Sequence, residues 1–424
     1  MIERIQEALK QEGASVWRIE KTREERAELY FIKKELDQPR FADITRYTVT
    51  VFRDFEENGT NYRGQTTANV APGMTDEEIR QKIRDAYFGA AFVKNPFFQI
   101  ADPVEEDFKA SVSDLSRLPL QDIAAAFAQA MLDVPSDENA FINSMEIFMR
   151  RCKTEIAASN GLHVSFGTDR VSGEFVTQCK SPEDVEQYRQ FSYDSFNLEG
   201  VKRKIEEGIE DVRLRAGAKG APKSGTCSVI LKGEQVGELL SYYLMRSAAA
   251  IIYPHYSDWK PGDTVQEAAA GYETLDLTLT ATEPYSDEGI PMKDRPLIEG
   301  GVLKTLHGGT RFCRYLGIEP TGDYRKLSCA NGSMSYEDMR KGRVIECVSF
   351  SDFQTDFFTG NFGGEIRLSL LHENGKTVPL SGGSINGKLS DVANRLVFST
   401  ERYEDENYAG PYAVLIPDVP IAGQ

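Results

Sequence analysis

Residues Cys227–Asp263, CSVILKGEQVGELLSYYLMRSAAAIIYPHYSDWKPGD, decide how the rest of the chain is divided. The run opens as a short strand, continues as a helix and ends in an aromatic loop. Val236, Leu239, Leu240, Tyr243 and Ser247 fall at i, i+3, i+4, i+7 and i+11, which predicts one buried helical stripe. The helix contains no histidine, so it cannot offer the imidazole pair with which a helix turn holds a zinc ion.

Immediately before this run lies Ala216–Gly225, AGAKGAPKSG, small, polar and flexible in composition. It predicts a domain boundary, with an α/β domain over 1–220 and a β-rich domain over 221–424. Gly217, Lys223 and Ser224 imitate the spacing of a phosphate-binding loop. Pro222 stands where the second glycine should be, and proline has neither an amide proton for a phosphate nor freedom to curl around one. The linker reading is preferred.

Upstream, Ile2, Ile5, Ala8 and Leu9 mark a short helix that Gly13 stops. Strands are expected at Ala27–Lys33 and Arg46–Phe52, with a turn at Asn58-Gly59. Thr75 and Glu78 form a capping box that opens a helix carrying Ile79, Ile83, Ala86 and Ala90 on one face. The plan then recurs: a helix over Leu120–Leu132, strands near Ser144–Arg150, Thr154–Ala158, His163–Gly167 and Gly173–Gln178, and a helix over Leu198–Leu214. Helix, antiparallel strands, helix thus appears twice, which an internal duplication and the chance recurrence of a helix-on-sheet layer explain equally well. Beyond the organising helix, the alternation over Leu275–Thr282 and repeated glycine turns predict a barrel-like or sandwiched antiparallel sheet. One further short helix is expected, near Ser335–Lys341. The fold class is therefore α+β.

Charge and composition narrow the function. The net charge of −17 opposes binding to a phosphate backbone, and the most basic run, Lys202–Lys204, is followed by Glu206 and Glu207. No run of about 18 apolar residues predicts a membrane span, and the N-terminus has no apolar core of signal-peptide type. The six cysteines are scattered without a C-x-x-C, which suits reduced thiols in a cytoplasm. Cytoplasmic residence without nucleic-acid or membrane partners is the expectation.

Residue chemistry alone yields no active site. The four histidines, His163, His255, His307 and His372, are too far apart in sequence to share a helix turn. His255 with Asp258 is the one local pair of metal-binding type, and packing or hydrogen bonding accounts for it better. Gly383-Ser384-Ile385-Asn386 lacks the final glycine of a nucleophile elbow. Glu238 on the helix, and Asp287 with Glu288 ahead of Gly289-Ile290-Pro291, are the carboxylates that acid–base work or a cation would use. The pair suits a turn cap equally well.

Several strings, taken in order, resemble the TldD/PmbA family, also called the modulator-of-DNA-gyrase family. Asp287-Glu288-Gly289-Ile290-Pro291 is similar to its D-E-G-x-P signature, and Leu297–Lys304 to its L-I-E-x-G-x-L-K strand and turn. Leu316-Gly317, Thr321-Gly322, Thr359-Gly360-Asn361-Phe362, Glu373-Asn374-Gly375, Pro411 and Ile421-Ala422-Gly423 follow in register. The resemblance covers the second domain densely and the whole length loosely. It implies metallopeptidase-type proteolysis, including peptide maturation and degradation of small unfolded proteins.

TldD-type chains carry H-E-x-x-x-H on the helix that opens the second domain, and a cysteine near the C-terminus. Here that helix reads Gly237-Glu238-Leu239-Leu240-Ser241-Tyr242, and the last cysteine is Cys347. The resemblance therefore implies the PmbA/TldE-like branch: no zinc or other cofactor in this chain, and zinc in a TldD-like partner. Glu238, Asp287 and Glu288 remain the candidates for any activity of its own. The competing expectation is a non-enzymatic homo-oligomer that binds peptides or a protein partner.

Overall fold

The computed structural model describes residues 1–104 and 113–424. The N-terminal half is one six-stranded sheet under four helices. Its elements in chain order are α1 (Ile2–Gln11), β1 (Val16–Ile32), β2 (Glu35–Glu57), β3 (Thr60–Val70), α2 (Asp76–Ala90), α3 (Leu120–Leu132), β4 (Ala140–Ala158), β5 (His163–Cys179), β6 (Val185–Tyr193) and α4 (Leu198–Ala216). The strand order is β3-β2-β1-β4-β5-β6, so each half contributes helix, three strands and helix, and the halves meet along β1 and β4.

Strand β1 explains the helix layer. Its odd-numbered residues share one face. Ile19 is buried in the core under α1 and α2, with Val49, Ile79 and Ile83. Ala27, Leu29 and Phe31 are buried under α3 and α4, with Phe127, Ile205 and Ile209. Between the two ends the same face carries Lys21, Arg23 and Glu25, and Arg23 pairs with Asp43 across the β1–β2 ladder. The expected strand at Ala27–Lys33 is only the apolar end of a much longer one. In the same way, Ser144–Arg150 and Thr154–Ala158 are a single strand, β4, whose polar middle faces β1. The capping box of Thr75 and Glu78 forms as expected, with both reciprocal hydrogen bonds.

In the C-terminal half, β7 (Gly225–Lys232) leads into α5 (Glu234–Arg246) and the single turn α6 (Ala249–Ile252). Then come β8 (Leu277–Thr280), β9 (Arg295–Glu299), β10 (Val302–Leu303), α7 (Thr310–Leu316), β11 (Lys326–Cys329) and α8 (Tyr336–Met339). The chain ends through β12 (Val344–Thr355), β13 (Asn361–Glu373), β14 (Lys376–Leu380), β15 (Ser384–Lys388), α9 (Leu389–Val392), β16 (Val397–Phe398), β17 (Arg402–Glu404), β18 (Tyr408–Pro411) and β19 (Ala413–Ala422). Helix α8 is the expected short helix near Ser335–Lys341. Helices α6, α7 and α9 were not expected, because four to seven residues are too few to show a helical period.

Strands β12-β7-β19-β15-β13 pair in sequence, and β13 returns to β12, so five strands close a barrel. A second sheet, β10-β9-β8-β11-β18-β17, lies beside it. Helix α5 fills the space between: Val236, Leu239, Leu240 and Tyr243 share one core with Val229 and Ile345 of the barrel and with Leu279 and Leu327 of the second sheet. Its buried stripe is the one the spacing predicts. The α+β class and the barrel-like C-terminal half agree with expectation. Among the described residues, no helix is long and apolar enough to cross a membrane.

Candidate functional site

Helix α5 presents Glu238 toward the end of β12. The Glu238 carboxylate accepts a hydrogen bond from the Thr355 backbone N–H at 2.9 Å. Half-burial raises its pKa, and the Thr355 N–H pulls the other way. The Thr355 hydroxyl, buried beside it, has no hydrogen-bond partner. Ser241, one turn on, turns back and donates to the Glu238 carbonyl at 2.7 Å.

The two ends of the Gly237–Tyr242 string are committed to packing. A side chain at Gly237 would place its Cβ 2.7 Å from the Cβ of Tyr408, because β18 passes directly against the helix. Tyr242 packs edge-on against Tyr243 at 5.3 Å and Trp259 at 5.7 Å. The Arg246 guanidinium lies over Trp259 at 5.2 Å and donates to the Tyr256 carbonyl at 3.0 Å. The aromatic loop after the helix therefore folds back and covers its C-terminal half.

These residues do not fit a zinc ion. A tetrahedral site takes about three protein ligands of imidazole, thiolate or carboxylate type, and this face supplies one carboxylate already accepting a hydrogen bond. Three of the four histidines are engaged elsewhere. His307, fully buried below α5, donates from Nε2 to the Leu244 carbonyl at 3.0 Å, and burial pulls its pKa down to about 4. His372 contacts Glu346 at 3.0 Å inside the barrel wall, and His163 contacts Glu155 at 3.1 Å. His255 is an exposed residue with φ 63°, and Asp258 instead faces Arg246 at 3.5 Å. Among the described residues, no group of three or more His, Cys, Asp or Glu side chains is placed to hold a metal ion.

Asp287 and Glu288 lie at the seam between the two halves. Ser286 Oγ accepts from the Glu288 and Ile290 N–H groups, which fixes a tight loop with Gly289 at φ 81°. One oxygen of Glu288 faces Arg18 of β1 at 3.2 Å, and the other accepts from the Thr310 N–H at 2.5 Å. That N–H belongs to the first turn of α7, so Glu288 supplies the cap that Gly309 cannot. Asp323 sits beside it. Burial raises the Asp323 pKa, the Asp287 and Glu288 charges raise it further, and the Gly309 N–H opposes them. Glu283 is also raised by burial, against the pull of Arg170 and Arg325. The structure thus sets Asp287 and Glu288 beside Asp323, with Glu283 within reach of the Asp287 charge, while Glu238 makes its contact elsewhere, on β12.

Capping is the chemistry this geometry gives Glu288. Glu288→Ala is expected to cost about 1–2 kcal/mol, as loss of a cap does. Glu288→Gln, which keeps an acceptor for Thr310 and loses only the charge facing Arg18, is expected to cost less. Urea denaturation of the two variants checks the order; equal losses would exclude the cap. Thr355, Asp323 and Trp259 complete these surroundings and were not singled out in the sequence. Trp259 lay in the aromatic loop as read. Asp323 follows Thr321-Gly322 directly, and Thr355 lies four residues before Thr359-Gly360-Asn361-Phe362.

Comparison with known proteins gives this architecture a class. The profile of the PmbA/TldA metallopeptidase C-terminal domain matches residues 224–423. TldE from Thermococcus kodakarensis superposes with a TM-score of 0.81 over 99% of this chain and 100% of its own, at 16% identity. Proteins from Thermotoga maritima and Bacteroides thetaiotaomicron that carry the name modulator of DNA gyrase superpose at 0.78 each, with 17% and 18% identity. These cover 99% and 100% of this chain, and 99% of each of those chains. An uncharacterized protein of Methanocaldococcus jannaschii is 22% identical over 290 residues, which span 62% of this chain and 65% of that relative. The C-terminal half of this chain belongs to the TldD/PmbA family, and the whole chain has that family's fold.

Proposed function

We propose that this chain is the PmbA/TldE-like subunit of a TldD/TldE-type metallopeptidase assembly. It acts in the cytoplasm on peptides or small unfolded proteins, and a TldD-like partner holds the catalytic zinc. The observation that carries the reading is the state of the α5 face. Gly237 is pressed against Tyr408, Glu238 accepts the Thr355 N–H, and Tyr242 packs on Trp259. In an H-E-x-x-x-H string the first and last of these positions would carry imidazoles. A histidine at 237 would have to displace β18, and a lone carboxylate at 238 has no metal-bound water to activate. The chain keeps the scaffold of the site while its side chains serve packing.

Elemental analysis and a peptidase assay test this directly. The purified chain is expected to hold less than stoichiometric zinc and to cleave no peptide. It is expected to co-purify with a TldD-like chain from the same genome, and the mixture should cleave. One tightly held zinc per chain, or peptidase activity of this chain alone, would overturn the proposal.

A further inference from the structure

Apart from this face, the molecule exposes a belt of aromatic side chains: Phe88, Phe92, Phe97, Tyr253, Tyr256 and Phe358. The belt crosses the seam between the halves, and contacts join its parts. Phe88 and Phe92 meet at 5.1 Å at the end of α2. The following loop is tied to α7 by the Tyr315 hydroxyl donating to the Pro96 carbonyl at 2.6 Å, and by Arg311 donating to Asn95 at 3.1 Å. Tyr315 packs on Tyr253 at 4.8 Å, and Tyr256 packs on Phe358 at 5.4 Å. The belt ends beside Arg246, the last residue of α5, which lies over Trp259 and donates to the Tyr256 carbonyl.

We infer that this belt is the docking face for the TldD-like partner chain; the inference rests on the subunit reading above. Area decides between classes of occupant. An aromatic side chain offers about 200 Å², so six that stand partly out of the surface expose on the order of 600 Å² of apolar area. That is the upper end of what a monomer leaves uncovered, and most of the roughly 800 Å² that each side of a stable protein interface covers. A bound peptide of a few residues would leave most of a belt on three separate segments bare. A folded chain would cover it. Charge points to the partner's character. The chain carries −17 overall, yet Arg311, which ties the loop after α2 to α7, donates to an amide and lies over Phe312 at 4.5 Å, and no carboxylate among the described residues pairs with it. The facing surface is therefore apolar, with a carboxylate opposite Arg311.

The test measures the affinity of this chain for the TldD-like chain of the same genome, with Phe92→Glu, Phe358→Glu and, as control, Phe41→Glu. Phe92 is 69%, Phe358 48% and Phe41, on β2, 64% exposed, so none of these changes touches the core; unchanged thermal unfolding verifies that. Each belt variant is expected to weaken binding about thirtyfold or more, the size of an interface hot spot, and Phe41→Glu to leave it unchanged. Native affinity in both belt variants would overturn the belt as docking face and leave the subunit reading standing. Failure of the native chain to bind any TldD-like chain would overturn both. Self-association abolished by the belt variants, without capture of that partner, would assign the face to a second copy and overturn the choice of occupant.

Discussion

Glu346→Gln is expected to destabilise the protein by about 3–5 kcal/mol, the usual cost of removing one partner from a buried ion pair. Glu346 is fully buried in β12, where its two oxygens meet Lys232 at 3.2 Å, Arg340 at 2.9 Å, the Tyr336 hydroxyl at 2.6 Å and His372 at 3.0 Å. Burial alone would raise its pKa, but His372, Lys232, Tyr336 and Arg340 outweigh burial and hold it well below the usual carboxylate range. A glutamine keeps the shape and leaves Lys232 and Arg340 without a counter-charge in the barrel wall.

The same network fixes the sign of a pH effect. The folded protein binds a proton at Glu346 less readily than the unfolded chain does. The stability it contributes is therefore present above the unfolded carboxylate value of about 4.3, and is lost as pH falls from there toward the depressed folded value. Urea denaturation of the native chain and Glu346→Gln should differ most at neutral pH and converge on acidification. A difference below about 1 kcal/mol at pH 7 would mean that the network contributes little net energy.

Gly301→Ala is the second large effect, about 4 kcal/mol. Gly301 has φ 78°, where a Cβ costs about 1–3 kcal/mol. The added Cβ would also fall 1.9 Å from the Gln266 carbonyl oxygen, a backbone atom that cannot swing away. That approach is close because the Val265 and Gln266 N–H groups both donate to the Gly301 carbonyl, and the Gly301 N–H donates to Leu275. The Gln266 side chain then binds the Glu273 and Ala393 carbonyls and the Leu275 N–H. One turn thus anchors the chain that leaves the aromatic loop. Its neighbour is the internal control. Gly300 has φ 57° but nothing within 4 Å of an added Cβ, so Gly300→Ala should cost only about 1 kcal/mol. Equal losses at the two positions would refute the close-approach argument.

What could be read beforehand follows from how far each signal reaches along the chain. The α5 stripe was legible because Val236, Leu239, Leu240 and Tyr243 repeat with the helical period and are all buried. The Thr75–Glu78 box was legible because both partners lie in one turn. Strand β1 was half legible: Lys21, Arg23 and Glu25 interrupt its inward face, where cross-strand ion pairs stand in place of apolar packing. Capping by the Asp287–Glu288 pair was an open reading, but what Glu288 caps was not legible. Its partners, Arg18 and Thr310, are brought to it by the tertiary fold, and no local spacing announces them. The meaning of Gly237 was equally hidden, because the residue that excludes a side chain there is Tyr408, on β18, far along the chain in sequence.

Closure of the barrel bears on how the molecule stays out of aggregates. A closed ring of strands has no unpaired rim, so templated growth of sheet on sheet is confined to the outer strands. Those are guarded. The free side of β3 is taken up where the Arg63 N–H reaches Asn95 and the Phe97 N–H reaches Asn61. On β6, Arg215 and Lys204 donate to the Glu186 and Gln190 carbonyls. On β14, the Lys219 N–H occupies the Pro379 carbonyl, and proline has no N–H to offer. Strands β10 and β17 are only two and three residues long. At these points the backbone groups that could recruit a stray strand are already engaged, and what the surface offers a neighbour there is side chains, whose chemistry can discriminate.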